Sequence, residues 1–194
     1  MIIFLSSCGT TNNDSDNDRN NAIKLSGSFT AGQHITFVES LMNIFTKKVY
    51  ALKKREDTKA LICLVANQAM LERHVKEVPE VAYDIMDLAT KPTTIVFDEP
   101  IGIASNLVAE DNTLAIRVAS DKFCQYLINK FRKPIVSTSA NISGNPTPKQ
   151  FKDIEEEILK GVDYVVNLPE ENINPSPSSI IKLSNDGQVK VIRE

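Results

Sequence analysis

Along this chain the apolar residues alternate between two spacings, and each change of spacing marks the start or end of an element. Val38, Leu41, Met42, Phe45, Val49 and Leu52 recur every three or four positions, which predicts a helix with one inward face. The short run from Ala60 to Ala66 is apolar nearly throughout, as in a strand buried on both faces. Helices are expected over Ala69 to Val75 and Val81 to Leu88, separated near Pro79, and extended segments over Thr93 to Phe97 and Thr113 to Val118. Ser120 to Phe131 reads as a helix capped by Ser120, with Phe123, Leu127 and Phe131 on one face and a stop at Lys133-Pro134. Thr147-Pro148-Lys149-Gln150 has a capping-box pattern with proline at the first helical position, and Gly161 stands where that helix would end. Asp163 to Leu168 is expected as a strand. Ser179 to Leu183 and Val189 to Arg193 flank Asn185-Asp186-Gly187 as a β-hairpin.

The sum is an α/β domain with a twisted, partly antiparallel sheet and helices packed on it. Residues 1–34 read as an atypical leader and disordered linker, because Asn12 to Asn21 is almost entirely Asn, Asp and Ser and cannot repay chain entropy by burial. The folded domain is expected over 35–194. Met1 to Cys8 resembles the end of a lipoprotein signal with Cys8 as the lipidated residue. It has no basic n-region, however, and its apolar run of about four residues falls short of the roughly 7–15 that a secretory segment needs. A cytoplasmic protein is the first expectation, and a lipid anchor through Cys8 the alternative.

Composition narrows the function further. With 194 residues, 22 Lys and Arg against 25 Asp and Glu, and a formal charge of −3, the chain is not a generally basic nucleic-acid coat. RNA contact would need a local patch, for which Lys47, Lys48, Lys53, Lys54, Arg55 and Lys59 are the candidates. Cys8, Cys63 and Cys124 are too far apart for a zinc site or disulfide framework, and with only His34 and His74 a histidine metal centre is not expected. Cys63 and Cys124 sit among apolar neighbours and read as core. His74 reads as a helix-surface residue.

Two segments carry candidate chemistry. Pro134 to Gly144 runs from an apolar strand into a loop dense in Ser, Thr and Asn. Hydroxyls, an amide and freed backbone N–H groups can wrap an anion or nucleotide there, although the same residues also make ordinary loops. Upstream, Lys53, Arg55 and Lys59 end a helical pattern and lead into a strand. Lysine offers a point charge and arginine a two-pronged donor, a combination suited to polyphosphate or simply to a solvated surface. Arg117 interrupts an apolar strand, which is costly unless its guanidinium meets a substrate anion or an internal carboxylate.

Taken in order, Lys53-x-Arg55, Lys59 with the strand Leu61 to Val65, Arg117-Val118, the Ser139-Ala-Asn141-x-Ser-Gly144 loop and the Pro177-Ser178-Ser179 turn resemble the YrdC/YciO-type family of threonylcarbamoyl-AMP synthases. The resemblance runs from about Val49 to Arg193. The family's N-terminal Tyr-Pro-Thr-Asp-Thr segment has no counterpart in Leu25 to His34, and its Pro-Gly-Pro-Leu-Thr stretch survives as Pro92 and Thr94.

This resemblance implies a YrdC-like fold with a basic ligand cavity. It also implies synthesis of threonylcarbamoyl-AMP from L-threonine, bicarbonate and ATP, with Mg²⁺, for the threonylcarbamoyladenosine modification of tRNA. Lys53 and Arg55 would serve the triphosphate, with Lys59 as helper or RNA contact. Arg117 would hold the substrate carboxylate. Ser137, Ser139 and Asn141 would bind threonine and nucleotide, Thr94 would form the facing wall, and Ser178 with Ser179 would close over the nucleotide. The alternative is a non-catalytic module on the same scaffold that binds double-stranded RNA or tRNA.

Overall fold

The computed structural model describes residues 2–4, 46–55, 61–166 and 177–194. Its centre is a seven-stranded mixed sheet: β1 (Ile2–Phe4), β2 (Ile62–Val65), β3 (Thr93–Asp98), β4 (Thr113–Val118), β5 (Ile135–Thr138), β6 (Ser179–Leu183) and β7 (Val189–Arg193), in the order β1-β5-β2-β4-β3-β6-β7. The β2–β4 and β3–β6 pairs are parallel, and the other neighbours are antiparallel. Ile2–Phe4, expected within a leader, instead pairs with Val136 to Thr138 at the sheet edge. Two β-branched residues and an aromatic suit a strand.

Register assigns the side chains to two faces, since alternate residues of a strand point oppositely. Cys63, Ile116, Ile95, Phe97, Leu114 and Leu183 fall on one face and join a core with Met70, Leu71, Cys124 and Ile128. These come from α2 (Gln68–Leu71) and α4 (Lys122–Phe131). The opposite face carries Ser137, Ile62, Ala115, Val96 and Lys182 in one row, with Arg117 opposite Leu64 and Thr94 opposite Ile180 one step along. Ser137, Arg117 and Thr94 thus share one side of the sheet.

Helix α1, described over 46–52, ends in a Schellman turn. Arg55 N–H donates to Tyr50 O and Lys54 N–H to Ala51 O, both at 3.0 Å, while Lys54 takes the left-handed conformation at φ 49°. This termination turns the Lys53 side chain inward, where it is 2% exposed.

Helix α4 differs from expectation at its start. Asp121, not Ser120, is the N-cap, accepting the Cys124 N–H at 2.8 Å. Its fully buried positions are Cys124 and Ile128, with Phe123, Leu127 and Phe131 flanking them, half-buried. It stops at Arg132, which is left-handed at φ 61° and donates its N–H to Ile128 O.

The helix expected from Thr147 is replaced by a 3-10 turn over Phe151–Asp153 and the short α5 (Glu156–Gly161). Glu155 breaks it: its backbone is non-helical at φ −60°, ψ 136° and its carboxylate is drawn to the loop at 142–145. Gly161 is the last residue of α5, not a residue beyond its end. A methyl there would collide with Leu52 Cδ1, so this glycine allows α1 and α5 to touch. Val75 lies past the end of α2, bridged to Pro100, and α3 spans Glu80–Leu88. Of the strand expected at Asp163 to Leu168, residues 163–166 are not extended into the sheet and the remainder lies outside the described residues.

The hairpin between β6 and β7 forms as expected, with Gly187 at φ 82°. Cys63 and Cys124 are free and buried, and His74 is half-buried, its Nδ1 3.2 Å from Ile101 O. Cys8 and most of 1–34 lie outside the described residues. Among those described, no helix is long and apolar enough to cross a membrane.

Candidate active site

The loop that follows β5 is held by groups remote in sequence. Lys53 Nζ donates to the carbonyl oxygens of Ser139 and Asn141, each at 2.6 Å. Ser143 N–H donates to Lys53 O at 2.8 Å. From the other side, Glu155 Oε1 accepts the Ile142 N–H, and both its carboxylate oxygens accept from Asn145 Nδ2, all at 3.1 Å. Burial, and then the nearby Arg55, push the Lys53 pKa down from 10.5 to about 8, against the pull of Glu155. A buried ammonium is tolerated because charge-assisted bonds to two carbonyls replace its lost water.

Inside this loop Asn141 has a fixed orientation. Its Nδ2 donates to Ile142 O at 3.1 Å and Asn145 O at 2.7 Å. Reversing the amide would set its oxygen against two carbonyls, so the assignment follows from the network. Its Oδ1 is buried without a hydrogen-bond partner. Such an acceptor costs about 1–3 kcal/mol if left unmet, which makes it a natural seat for a ligand donor.

Ser137, buried at the end of β5, and Arg117 of β4 lie on the polar sheet face that leads away from this loop. Burial holds the Arg117 guanidinium below its ordinary pKa, and the same cause acts on Arg55. Arg55 is half-buried, two residues from Lys53 at the end of α1. Between β5 and β3 there are three strand intervals, so Ser137 stands roughly 14 Å across the face from Val96, with Thr94 two residues further along β3.

Thr94 closes the far side. Its Oγ1 lies 2.9 Å from Ser178 Oγ, and both hydroxyls are buried. Arg193 fixes the same turn, donating through Nε and Nη2 to Ser178 O at 3.1 and 2.7 Å. Ser179 N–H donates to Pro92 O at 3.0 Å.

The expected site residues therefore fall into a loop group of Lys53, Ser139 and Asn141, a wall of Thr94 and Ser178, and Ser137 with Arg117 on the sheet between. Lys59 lies outside the described residues. Sequence reasoning missed Glu155 and Arg193, whose local context is that of surface charges. It also missed Lys182, an interruption of an apolar strand like Arg117, which pairs with Asp111 at 2.7 Å. A cleft of about 360 Å³ at the ends of β3 and β4 is lined in part by Gln68, Asp87, Lys91 and Ser120; it includes the motif residues Pro92 and Val118, the chain neighbours of Thr93 and Arg117, but none of the side chains expected to bind substrate. Among the described residues, no group of three or more His, Cys, Asp or Glu could hold a metal ion.

The Sua5/YciO/YrdC family model, described as telomere recombination, matches residues 40–194. A protein of Methanocaldococcus jannaschii, provisionally named threonylcarbamoyl-AMP synthase, is 33% identical over 146 residues, 75% of this chain and 67% of that protein. The crystal structure of Pyrococcus abyssi Sua5 complexed with L-threonine matches with a TM-score of 0.64 at 26% identity, covering 72% of this chain and 41% of that one. E. coli YciO matches with a TM-score of 0.66 at 21% identity, over 78% of this chain and 73% of that one, a likeness of fold. The chain thus spans about two thirds of the archaeal relative and less than half of the threonine-bound protein.

Proposed function

The chain belongs to the Sua5/YciO/YrdC family, and we propose that it is a threonylcarbamoyl-AMP synthase that supplies the activated intermediate for tRNA threonylcarbamoyladenosine. The observation that carries this reading is the braced loop with its unmet Asn141 acceptor, set beside a sheet face that bears a desolvated arginine. An amino acid offers the complementary pattern: a donor at one end and a carboxylate at the other. The threonine-bound Sua5 structure supports threonine as that amino acid.

In the proposed reaction the threonine amine attacks bicarbonate and water leaves. A carbamate oxygen then attacks the α-phosphorus of ATP, and pyrophosphate departs. Such chemistry needs positioning and charge stabilisation and no protein nucleophile. Arg117 takes the threonine carboxylate, and Asn141 Oδ1 accepts from an N–H of its amine or from its hydroxyl. Ser137 and Ser139 complete the contacts. Arg55 takes the triphosphate, with Lys59 as helper, and the Thr94–Ser178 pair forms the opposite wall. Mg²⁺ would be carried on the ATP phosphates, as at other nucleotide sites.

We assign the protein to the cytoplasm, in keeping with the free, buried thiols of Cys63 and Cys124. Purified protein given ATP, Mg²⁺ and bicarbonate should release pyrophosphate only when L-threonine is added. Salt-dependent RNA binding without such release would favour the non-catalytic RNA module instead.

A further inference from the structure

We propose that Lys53 and Glu155 are paired positioning residues that clamp the loop from Ser139 to Asn145 between opposite charges, and that this clamp is what presents Asn141 Oδ1 to the ligand. The identity of the ligand rests on the synthase reading. The clamp does not.

The arrangement sorts the peptide groups of the loop by polarity. Two of its carbonyls, Ser139 O and Asn141 O, converge on the ammonium of Lys53. One of its N–H groups, that of Ile142, and the Asn145 side-chain amide converge on the carboxylate of Glu155. The backbone of Lys53 adds a third tie by accepting the Ser143 N–H. Ala140 to Ile142 are buried, and an irregular segment there would otherwise strand its peptide groups away from water.

Both braces are themselves anchored. Lys53 is the last residue before the left-handed Lys54 that terminates α1, so its direction is set by the Schellman turn. Glu155 sits at the N-terminal boundary of α5 with a non-helical backbone. That break in the helix turns its carboxylate toward the loop, and α5 then meets α1 at the Gly161–Leu52 contact. A lysine committed to two carbonyls is not a freely rotating counter-charge for phosphate. That task falls to Arg55. Because Asn141 Nδ2 is consumed by two loop carbonyls, any shift of Asn141 or Asn145 moves the unmet Asn141 Oδ1 acceptor.

The test uses the full chain with Lys53→Met, Glu155→Gln, Glu155→Ala and the Lys53→Met/Glu155→Ala double variant, read by amide hydrogen exchange and by calorimetric titration of L-threonine and Mg-ATP. The clamp predicts that exchange at Ile142 and Ser143 speeds up by about tenfold or more in Lys53→Met and in Glu155→Ala. The double variant should be little worse than either, because residues acting as a unit are non-additive. Glu155→Gln, whose amide oxygen still accepts the Ile142 N–H, should restore much of the protection. Threonine affinity should fall in parallel with the loss of protection.

Unchanged exchange in Lys53→Met with a selective loss of Mg-ATP affinity would overturn the proposal and make Lys53 a phosphate ligand. Should Lys53→Met not fold, the contrast between Glu155→Ala and Glu155→Gln still decides. Unchanged exchange in Glu155→Ala would also overturn the clamp. Increased exchange in a protein that binds no threonine even as wild type would support the clamp and refute the synthase reading.

Discussion

Thr94 Oγ1 and Ser178 Oγ meet at 2.9 Å across 84 residues of chain, both out of solvent, where parallel strands β3 and β6 begin. This bond ties the wall of the site to the terminal hairpin. Thr94→Val keeps the shape but removes the hydroxyl, leaving Ser178 Oγ with a 3.5 Å approach from Arg193 Nη2. A loss of about 1–3 kcal/mol is expected in urea titrations. Ser178→Ala added to Thr94→Val should cost less than Ser178→Ala alone, because its partner is already gone.

The contact between α1 and α5 gives a prediction whose sign depends on the background. Alanine at Gly161 gains about 1 kcal/mol of helix propensity but collides with Leu52 Cδ1 and sits 3.2 Å from its Cγ. Overpacking costs about 1–3 kcal/mol, so Gly161→Ala should destabilise wild type. In a Leu52→Ala background the same change should stabilise, and thermal unfolding of the four proteins will show whether the sign reverses.

Lys53 titrates at about 8 in the folded chain, against an ordinary 10.5. The unfolded chain therefore holds this proton more tightly. The cost of burying the charge is fully present below pH 8 and disappears as the pH rises toward 10.5. The stability of wild type relative to Lys53→Met should accordingly rise with pH across that window. Arg55 and Glu155 are the charged groups acting on Lys53 and remain in both proteins. Burial pushes the Cys63 and Cys124 thiols up from 9.0 to about 12, which lowers stability above pH 9 in both and cancels in the difference. A flat difference in denaturant titrations would remove the buried ammonium from the account.

The two arginines should separate in kinetics. Arg117→Ala is expected to raise the KM for threonine by about 10- to 100-fold, the size of a lost charge-assisted bond, with little change for ATP. Arg55→Ala should act on ATP and abolish pyrophosphate release. Equal effects of both variants on both substrates would contradict the assignment.

Much of the sheet is readable from the chain because β3, β4 and the final hairpin obey local rules: apolar, β-branched runs with turn residues between them. Ser120 and Asp121 are both competent caps, and the choice of Asp121 depends on which carboxyl or hydroxyl reaches the Cys124 N–H. The region from Thr147 to Gly161 was misread for a tertiary reason. Its local signals favour one helix, but Glu155 is drawn out of it by the loop after β5. For the site, residue types such as Asn141, Arg117 and Thr94 are visible in a linear pattern. That Lys53 points at carbonyls 86 and 88 residues away is not. Glu155 and Arg193 escaped notice for the same reason, since each acquires meaning only when folding brings in its partner.

The most direct test of the central claim is to incubate the purified protein with ATP, Mg²⁺, L-threonine and isotopically labelled bicarbonate and to analyse the products by mass spectrometry. The account predicts threonylcarbamoyl-AMP carrying the label, formed with pyrophosphate and lost when threonine is omitted or Arg117 is replaced by alanine. Absence of a labelled adenylate, from protein shown by calorimetry to bind ATP and threonine, would contradict it.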